Sequence, residues 1–299
     1  MNQFTIRRRA TRLLPYLLIG ASIVYIALLL GYPFLQGAWL SFTKTSLLAP
    51  QRGEFVGFDN YTRLIESAQL WETLWTTLVY TAGSVVGAVG LGFAVALLLN
   101  YPFRGRGVVR SIIAIPWAAP VVAAALIFAW IFDNQYGIAS WTVERIVEEA
   151  PVWFLDPAWA MPTLILITIW KIFPISCLVL LAALQGVPEE QYEAARMDGA
   201  TPLNVFKNVT FPNVLPTFAV LLLLVTIWSF RRFEIIWLLT AGGPLRTTNT
   251  LVIDVYREAF RHHQLGLASA LGIIGLLLAI VATGVYFVAQ RRMEAADAN

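Results

Sequence analysis

Six long apolar windows separated by polar segments dominate the chain, at residues 13–40, 73–99, 108–132, 158–183, 214–239 and 267–290. About 20 apolar residues in helical form cross the roughly 30 Å of hydrocarbon in a bilayer. A helix also satisfies its own backbone there, which an open strand cannot do. The pattern predicts an all-α integral membrane fold of six transmembrane helices, with residues 1–299 forming a single transmembrane domain. The first window is longer than a bilayer needs, so its end projects or the helix tilts. It follows Arg7, Arg8, Arg9 and Arg12, as a signal peptide would. Its apolar core is too long for that, and no small-residue cleavage site ends it, so it reads as an uncleaved first span.

Within the windows, small residues and prolines are the informative positions. Gly83 and Gly87 form a G-x-x-x-G pair, continued by Ala88 and Gly92. Such pairs let helices approach closely where lipid supplies no hydrophobic drive to associate. Pro116 and Pro120 interrupt the third window and Pro174 the fourth. Each is either a packing kink or a hinge, and freed carbonyls are tolerated where they line a protein-buried cavity. The third and fourth spans are therefore expected to wall a pore.

Composition agrees: 58% of the 299 residues are hydrophobic and 13% charged, against about 25% charged in soluble domains. The net charge of +3 comes from arginines scattered at loop ends, which fits the flanks of membrane helices rather than a nucleic-acid surface. The one cysteine, Cys177, allows neither a disulfide framework nor a cysteine metal site. An even number of spans puts both termini on one side. With that side inside, the inner segments hold Arg7, Arg8, Arg9, Arg12, Arg104, Arg106, Arg110, Arg196, Lys207, Arg291 and Arg292. The arginine cluster before the first span sets the orientation, with both termini cytoplasmic.

Catalysis finds no support. The lysines are Lys44, Lys171 and Lys207, and none follows a glycine, so no G-x-x-x-x-G-K-[ST] loop cradles phosphates. His262 and His263 sit together in an outer segment, and no span contains a histidine that could activate a serine. Neither a catalytic residue nor a bound cofactor or metal is expected.

One polar segment, residues 184–213, interrupts the apolar windows on the inner side and reads as two short helices. Pro188, Glu189 and Glu190 suit a first turn, and Gly199 a C-terminal stop. Thr201-Pro202 opens the second helix, with Val205, Phe206 and Val209 on one face and Pro212 ending it. Such a pair is either a solvated connector or a projection shaped for a groove on another protein.

Glu193-Ala194-Ala195, then Gly199 after three residues and Val209-Thr210-Phe211-Pro212 after nine more, resembles a family signature. It is the cytoplasmic loop of permeases of ATP-binding-cassette importers, E-A-A, three residues, G, nine residues, I-x-L-P. Here Val209 and Phe211 replace the isoleucine and leucine. The resemblance implies that Tyr192, Glu193, Ala194, Ala195, Asp198, Gly199, Ala200, Phe206 and Pro212 form a coupling helix docked in a cleft of a separate ATPase. That subunit would hold the ATP and magnesium.

Two further stretches narrow the likeness. Ile115-Pro116-Trp117-Ala118-Ala119-Pro120-Val121-Val122 resembles the third span of carbohydrate-importer permeases, and Leu239-Thr240-Ala241-Gly242-Gly243-Pro244 their L-T-x-G-G-P element. The likeness covers roughly residues 75–290 and is of the maltose-permease type. It implies a bacterial or archaeal cytoplasmic membrane, a second permease subunit as heterodimer partner, two ATPase subunits and an extracytoplasmic solute-binding protein. A self-sufficient six-span channel or secondary transporter is the alternative.

Polar groups within spans are expensive, so each is a site hypothesis. The fourth span offers Thr168 and Lys171, and the fifth Thr226, Trp228, Ser229, Arg231, Arg232 and Glu234. Carried over residue by residue, the family's sugar-contact positions fall on Thr168, Lys171, Ile172, Ile175, Trp228, Ser229 and Arg232. The family holds mostly amides, tyrosine or glycine there. Two isoleucines and an arginine depart from that, and point to a smaller or anionic solute, such as a glycerol phosphate or sugar acid. Alternatively, Arg231 and Arg232 pair with Glu234 or snorkel to the outer interface.

Overall fold

The computed structural model describes residues 19, 20, 22–147 and 149–297, and it is mostly helical. Arg7, Arg8, Arg9, Arg12 and the start of the first window lie outside the described residues. Among the described residues, five helices are long and apolar enough to cross a membrane, and up to six spans result if a sharply bent pair counts as one.

The chain begins with α1, Ser22–Leu40, which contains a π turn at Ala27–Gly31. A two-stranded antiparallel hairpin follows, β1 Thr43–Ser46 and β2 Ala49–Phe55, with Thr43 opposite Phe55 and Ser46 opposite Ala49. Next come α2, Asp59–Glu66, and the long α3, Ala68–Asn100, capped at its N-terminus by the Ser67 hydroxyl, which accepts from the Leu70 N–H. The third window forms α4, Arg106–Ala118, and α5, Val121–Ile131. A short α6, Ile138–Val143, precedes α7, Pro157–Gln185. The polar loop supplies α8, Glu189–Met197, and α9, Pro202–Val205, before the fifth window forms α10, Phe211–Phe230, and α11, Glu234–Leu239. The chain closes with α12, Leu251–Tyr256, and α13, Leu265–Asp297.

These elements fall into two compact units. In the first, comprising the described residues up to Glu66 together with Val255–Ile274, the Asn60 amide donates to the carbonyls of Ser41 and Thr43, each at 2.9 Å. Gly266 meets Thr43 so closely that a Cβ would sit 1.9 Å from its carbonyl oxygen, so only glycine fits there.

In the second unit, Ser67–Asp254 with the chain beyond Gly275, α3 and α7 pack along their length. The small-residue stripe of α3 makes this possible. Gly83 and Gly87 receive Ile165 and Ile169, and Gly92 meets the backbone of Phe173 and Cys177. Around that seam Val85, Ala88, Val89, Ile172, Leu180, Leu184, Val214 and Val225 form one buried apolar cluster.

One proline expectation needs correction. Pro174, like Pro162, lies inside α7, which runs on through it. Pro212 does not end the second loop helix: the chain passes through a π turn, Phe206–Thr210, and runs on as α10, with Pro212 in its first turn. There the N–H of Phe211 bonds the Phe206 carbonyl five residues back. A proline needs no N–H partner in a first turn, and the π turn supplies the change of register that makes it one.

Candidate functional site

The third span is broken by 96° between α4 and α5. Pro120 is the cause. Its ring disfavours a helical backbone at the preceding residue, and Ala119 is extended, at φ −61° and ψ 137°. The break strands carbonyls in the span. The Pro116 oxygen would accept from residue 120 in an unbroken helix, and a proline there has no N–H to give. Trp117 and Ala119 lose their partners to the change of direction.

Lys171, near the middle of α7, answers this. Its Nζ donates to the carbonyls of Pro116 at 2.9 Å, Trp117 at 3.0 Å and Ala119. An ammonium has three N–H donors, and all three are engaged. The side chain is buried and places a positive charge at the C-terminal end of α4, the end that the helix dipole makes negative.

One turn back on α7, the Thr168 hydroxyl shares a 2.7 Å hydrogen bond with the Tyr80 hydroxyl of α3, both residues being fully buried. Ile172 is also fully buried within the apolar cluster, and Ile175 packs at its edge. Thr168, Lys171 and Ile172 thus turn toward neighbouring spans of their own chain.

The fifth-span positions differ. Trp228 packs against Trp117 of the broken span, ring centroids 5.6 Å apart, and neither ring is buried: Trp117 is 39% exposed. The Lys171 Nζ lies 6.0 Å from the Trp117 ring. Beside this aromatic pair, the Ser229 hydroxyl and the Arg232 Nε are buried with no hydrogen-bond partner among the described residues. Arg232 follows the end of α10, its own N–H bonding the Ser229 carbonyl at 3.1 Å. No ion pair joins it to Glu234 among the described residues. The structure therefore brings Trp228 to Trp117 and, through that ring, to Lys171, with Ser229 and Arg232 following Trp228 at the end of α10. Tyr80 and Trp117 are partners the sequence reading missed. Trp117 had a signal, three residues before the breaking proline. Tyr80 had only its polarity in an apolar window.

In the polar loop, Pro188 precedes α8, Glu189 and Glu190 occupy its first turn, and none of its residues is buried. Gly199 takes φ +71°, and the Ala200 N–H bonds the Ala195 carbonyl at 3.0 Å, closing the helix with a left-handed residue. Glu193, Ala194 and Asp198 are exposed, Tyr192, Ala195 and Ala200 are half-buried, and Met197 is 87% exposed. Phe206 is held differently: it packs with Phe93 of α3 and Phe211 of α10, with centroids 6.1 and 6.0 Å away. The Asn213 side-chain amide donates to the Gln191 side-chain oxygen, Oε1, at 2.8 Å, tying α10 to α8. The loop is thus joined to two spans by an aromatic cluster and an amide bond.

At the other end of the second unit, the L-T-x-G-G-P segment is pinned to α3. Arg246 donates to Asp254 at 3.0 Å and to Thr73 at 3.2 Å, and Thr73 donates to Asp254 at 3.1 Å. The segment carries a cis Gly243-Pro244 bond and positive φ at Ala241, Leu245 and Arg246.

Comparison with known proteins places this arrangement. The family described as binding-protein-dependent transport system inner membrane component matches residues 88–295. The sulfoquinovosyl glycerol transport system permease protein SmoG of Agrobacterium fabrum is 36% identical over 92% of this chain and 89% of its own length. The trehalose/maltose transport system permease protein MalF of Thermococcus litoralis is 34% identical over 91% of this chain and 92% of its own. In three dimensions the chain is similar to one in a bacterial ABC transporter that imports the acidic polysaccharide alginate. That likeness has a TM-score of 0.82 at 24% identity, covering 96% of this chain and 99% of the other. The chain, mostly helical with five or six candidate spans among the described residues and matched over most of its length by transport permeases, belongs to the binding-protein-dependent inner-membrane transport component family.

Proposed function

We propose that this chain forms half of the translocation pathway of an ATP-driven importer for a sugar or sugar-like solute, beside a second permease subunit. The observation that carries the reading is α8, a short helix with no buried residue, bearing the E-A-A signature and closed by Gly199. An exposed helix bonded to α10 through Gln191 and Asn213, in a loop that packs on α3 through Phe206, is suited to pass motion from a docked protein into the membrane. Two ATPase subunits hold the ATP and magnesium, and Tyr192, Glu193, Ala194, Ala195, Asp198, Gly199 and Ala200 form the surface one of them grips. Phe206 and Pro212 lie behind that surface, where Phe206 transmits its movement to α3. The chain itself binds no cofactor and catalyses no reaction. Both termini lie in the cytoplasm, and an extracytoplasmic solute-binding protein delivers the cargo from the other side. The relatives named for sulfoquinovosyl glycerol and trehalose/maltose support a glycoside as that cargo. In the pathway, Trp228, Ser229 and Arg232 meet the solute, while Thr168, Lys171, Ile172 and Ile175 form the wall behind them.

The test is Glu193→Lys in the complete importer. Uptake is expected to be abolished with membrane insertion intact, and ATP hydrolysis should no longer respond to loaded binding protein. Uptake at the normal rate in this variant and in Gly199→Asp would remove the coupling role.

A further inference from the structure

We infer that the transported solute carries an anionic group, a carboxylate or sulfonate on a glycoside, and that Arg232 is the residue that reads it. This rests on the sugar-importer reading above. Arg232 holds a permanent charge within the fifth span, where an uncompensated ion is costly and marks a pathway. Its Nε is buried without a partner, and no acid pairs with it among the described residues. Glu234, the nearest acid in sequence, is exposed.

Lys171 is not free to meet a solute, since all three of its donors are on backbone carbonyls. Thr168 and Tyr80 are bonded to each other. The end of α10 offsets only about half an elementary charge. Arg232 thus brings a charge without an ion-pair partner among the described residues to the end of α10, next to the unpartnered Ser229 hydroxyl and one turn on from Trp228, which packs on Trp117. A pyranose ring can lay its apolar face on such rings. A guanidinium presents a planar fork that matches a carboxylate, and a sulfonate likewise, with two parallel hydrogen bonds. A neutral sugar's hydroxyls can accept from that fork but bring no charge to balance it.

The experiment uses the complete importer in proteoliposomes and three probes built on one glucoside, with a 6-hydroxyl, a 6-carboxylate or a 6-sulfonate. Wild type is expected to take up the two anionic probes at least about tenfold faster than the neutral one. Arg232→Gln should lower the anionic-to-neutral ratio by about tenfold, the loss of a charge-assisted pair. Arg232→Lys should give an intermediate ratio, and it carries the test alone if the glutamine variant does not assemble. Wild-type preference for the neutral probe would overturn the proposal. So would an equal fall for all three probes, since Arg232 would then serve packing or an ion pair with the neighbouring subunit. Failure of all three probes to enter while ATP turns over would instead remove the sugar-importer reading itself.

Discussion

Lys171→Met is the most informative single substitution, because it removes the ammonium and keeps most of the side-chain volume. Three carbonyls in the broken third span, those of Pro116, Trp117 and Ala119, lose their donor. Hydrogen bonds between spans are worth about 0.6 kcal/mol each on average, so three give a floor of about 2 kcal/mol. Bonds from a charged donor run to about 1.5–3 kcal/mol each. The substitution also removes the cost of burying the charge, which pulls the net toward the lower figure. We expect a loss of about 2–4 kcal/mol, or a fall in melting temperature of several degrees for a chain of this size. Thermal unfolding of the purified importer in detergent, followed by tryptophan fluorescence, reads this directly because Trp117 lies at the break. Uptake should fall with it, since the position of Trp117 against Trp228 depends on the direction α4 takes. Lys171→Arg should recover part of both losses. A Lys171→Met importer that melts within about a degree of wild type and transports normally would refute the reasoning: the freed carbonyls would then be satisfied without Lys171.

Two further substitutions separate packing from polar pinning. Gly92→Ala should destabilise the complex more than Gly87→Ala, in the same melting assay. The added methyl at 92 meets the Cys177 amide nitrogen at 2.9 Å and the Phe173 carbonyl at 3.1 Å, whereas at 87 it meets the movable tip of Ile169. Asp254→Ala should free the 240–250 segment, seen as new protease cleavage there. Breaking a buried ion pair costs about 3–5 kcal/mol, reduced here to about 2–3 because Arg246 is partly exposed.

The spans were legible because lipid imposes a crude rule, length and apolarity: the second, fourth and sixth windows fall inside single helices, and the third on a bent pair. The glycine stripe was legible for the same reason, since a helix seam needs small residues whatever it packs against. Which proline breaks a helix was not. Pro116, Pro120, Pro174 and Pro212 look alike in sequence, yet of the four Pro120 alone sits at a break between helices. A π turn carries the helix into Pro212, and α7 continues through Pro174. The role of Lys171 was hidden more deeply, because its partners are backbone oxygens of residues more than fifty positions earlier in the chain. No side-chain pattern announces a contact of that kind. Read as sequence, Lys171 and Arg232 are two equivalent cations in adjacent spans. The break at Pro120 makes them unlike: it commits every donor of Lys171 to repairing the backbone, while the Arg232 Nε is buried without a partner. The same proline that bends the third span thereby withdraws Lys171 and, on our proposal, leaves the selection of cargo to Arg232.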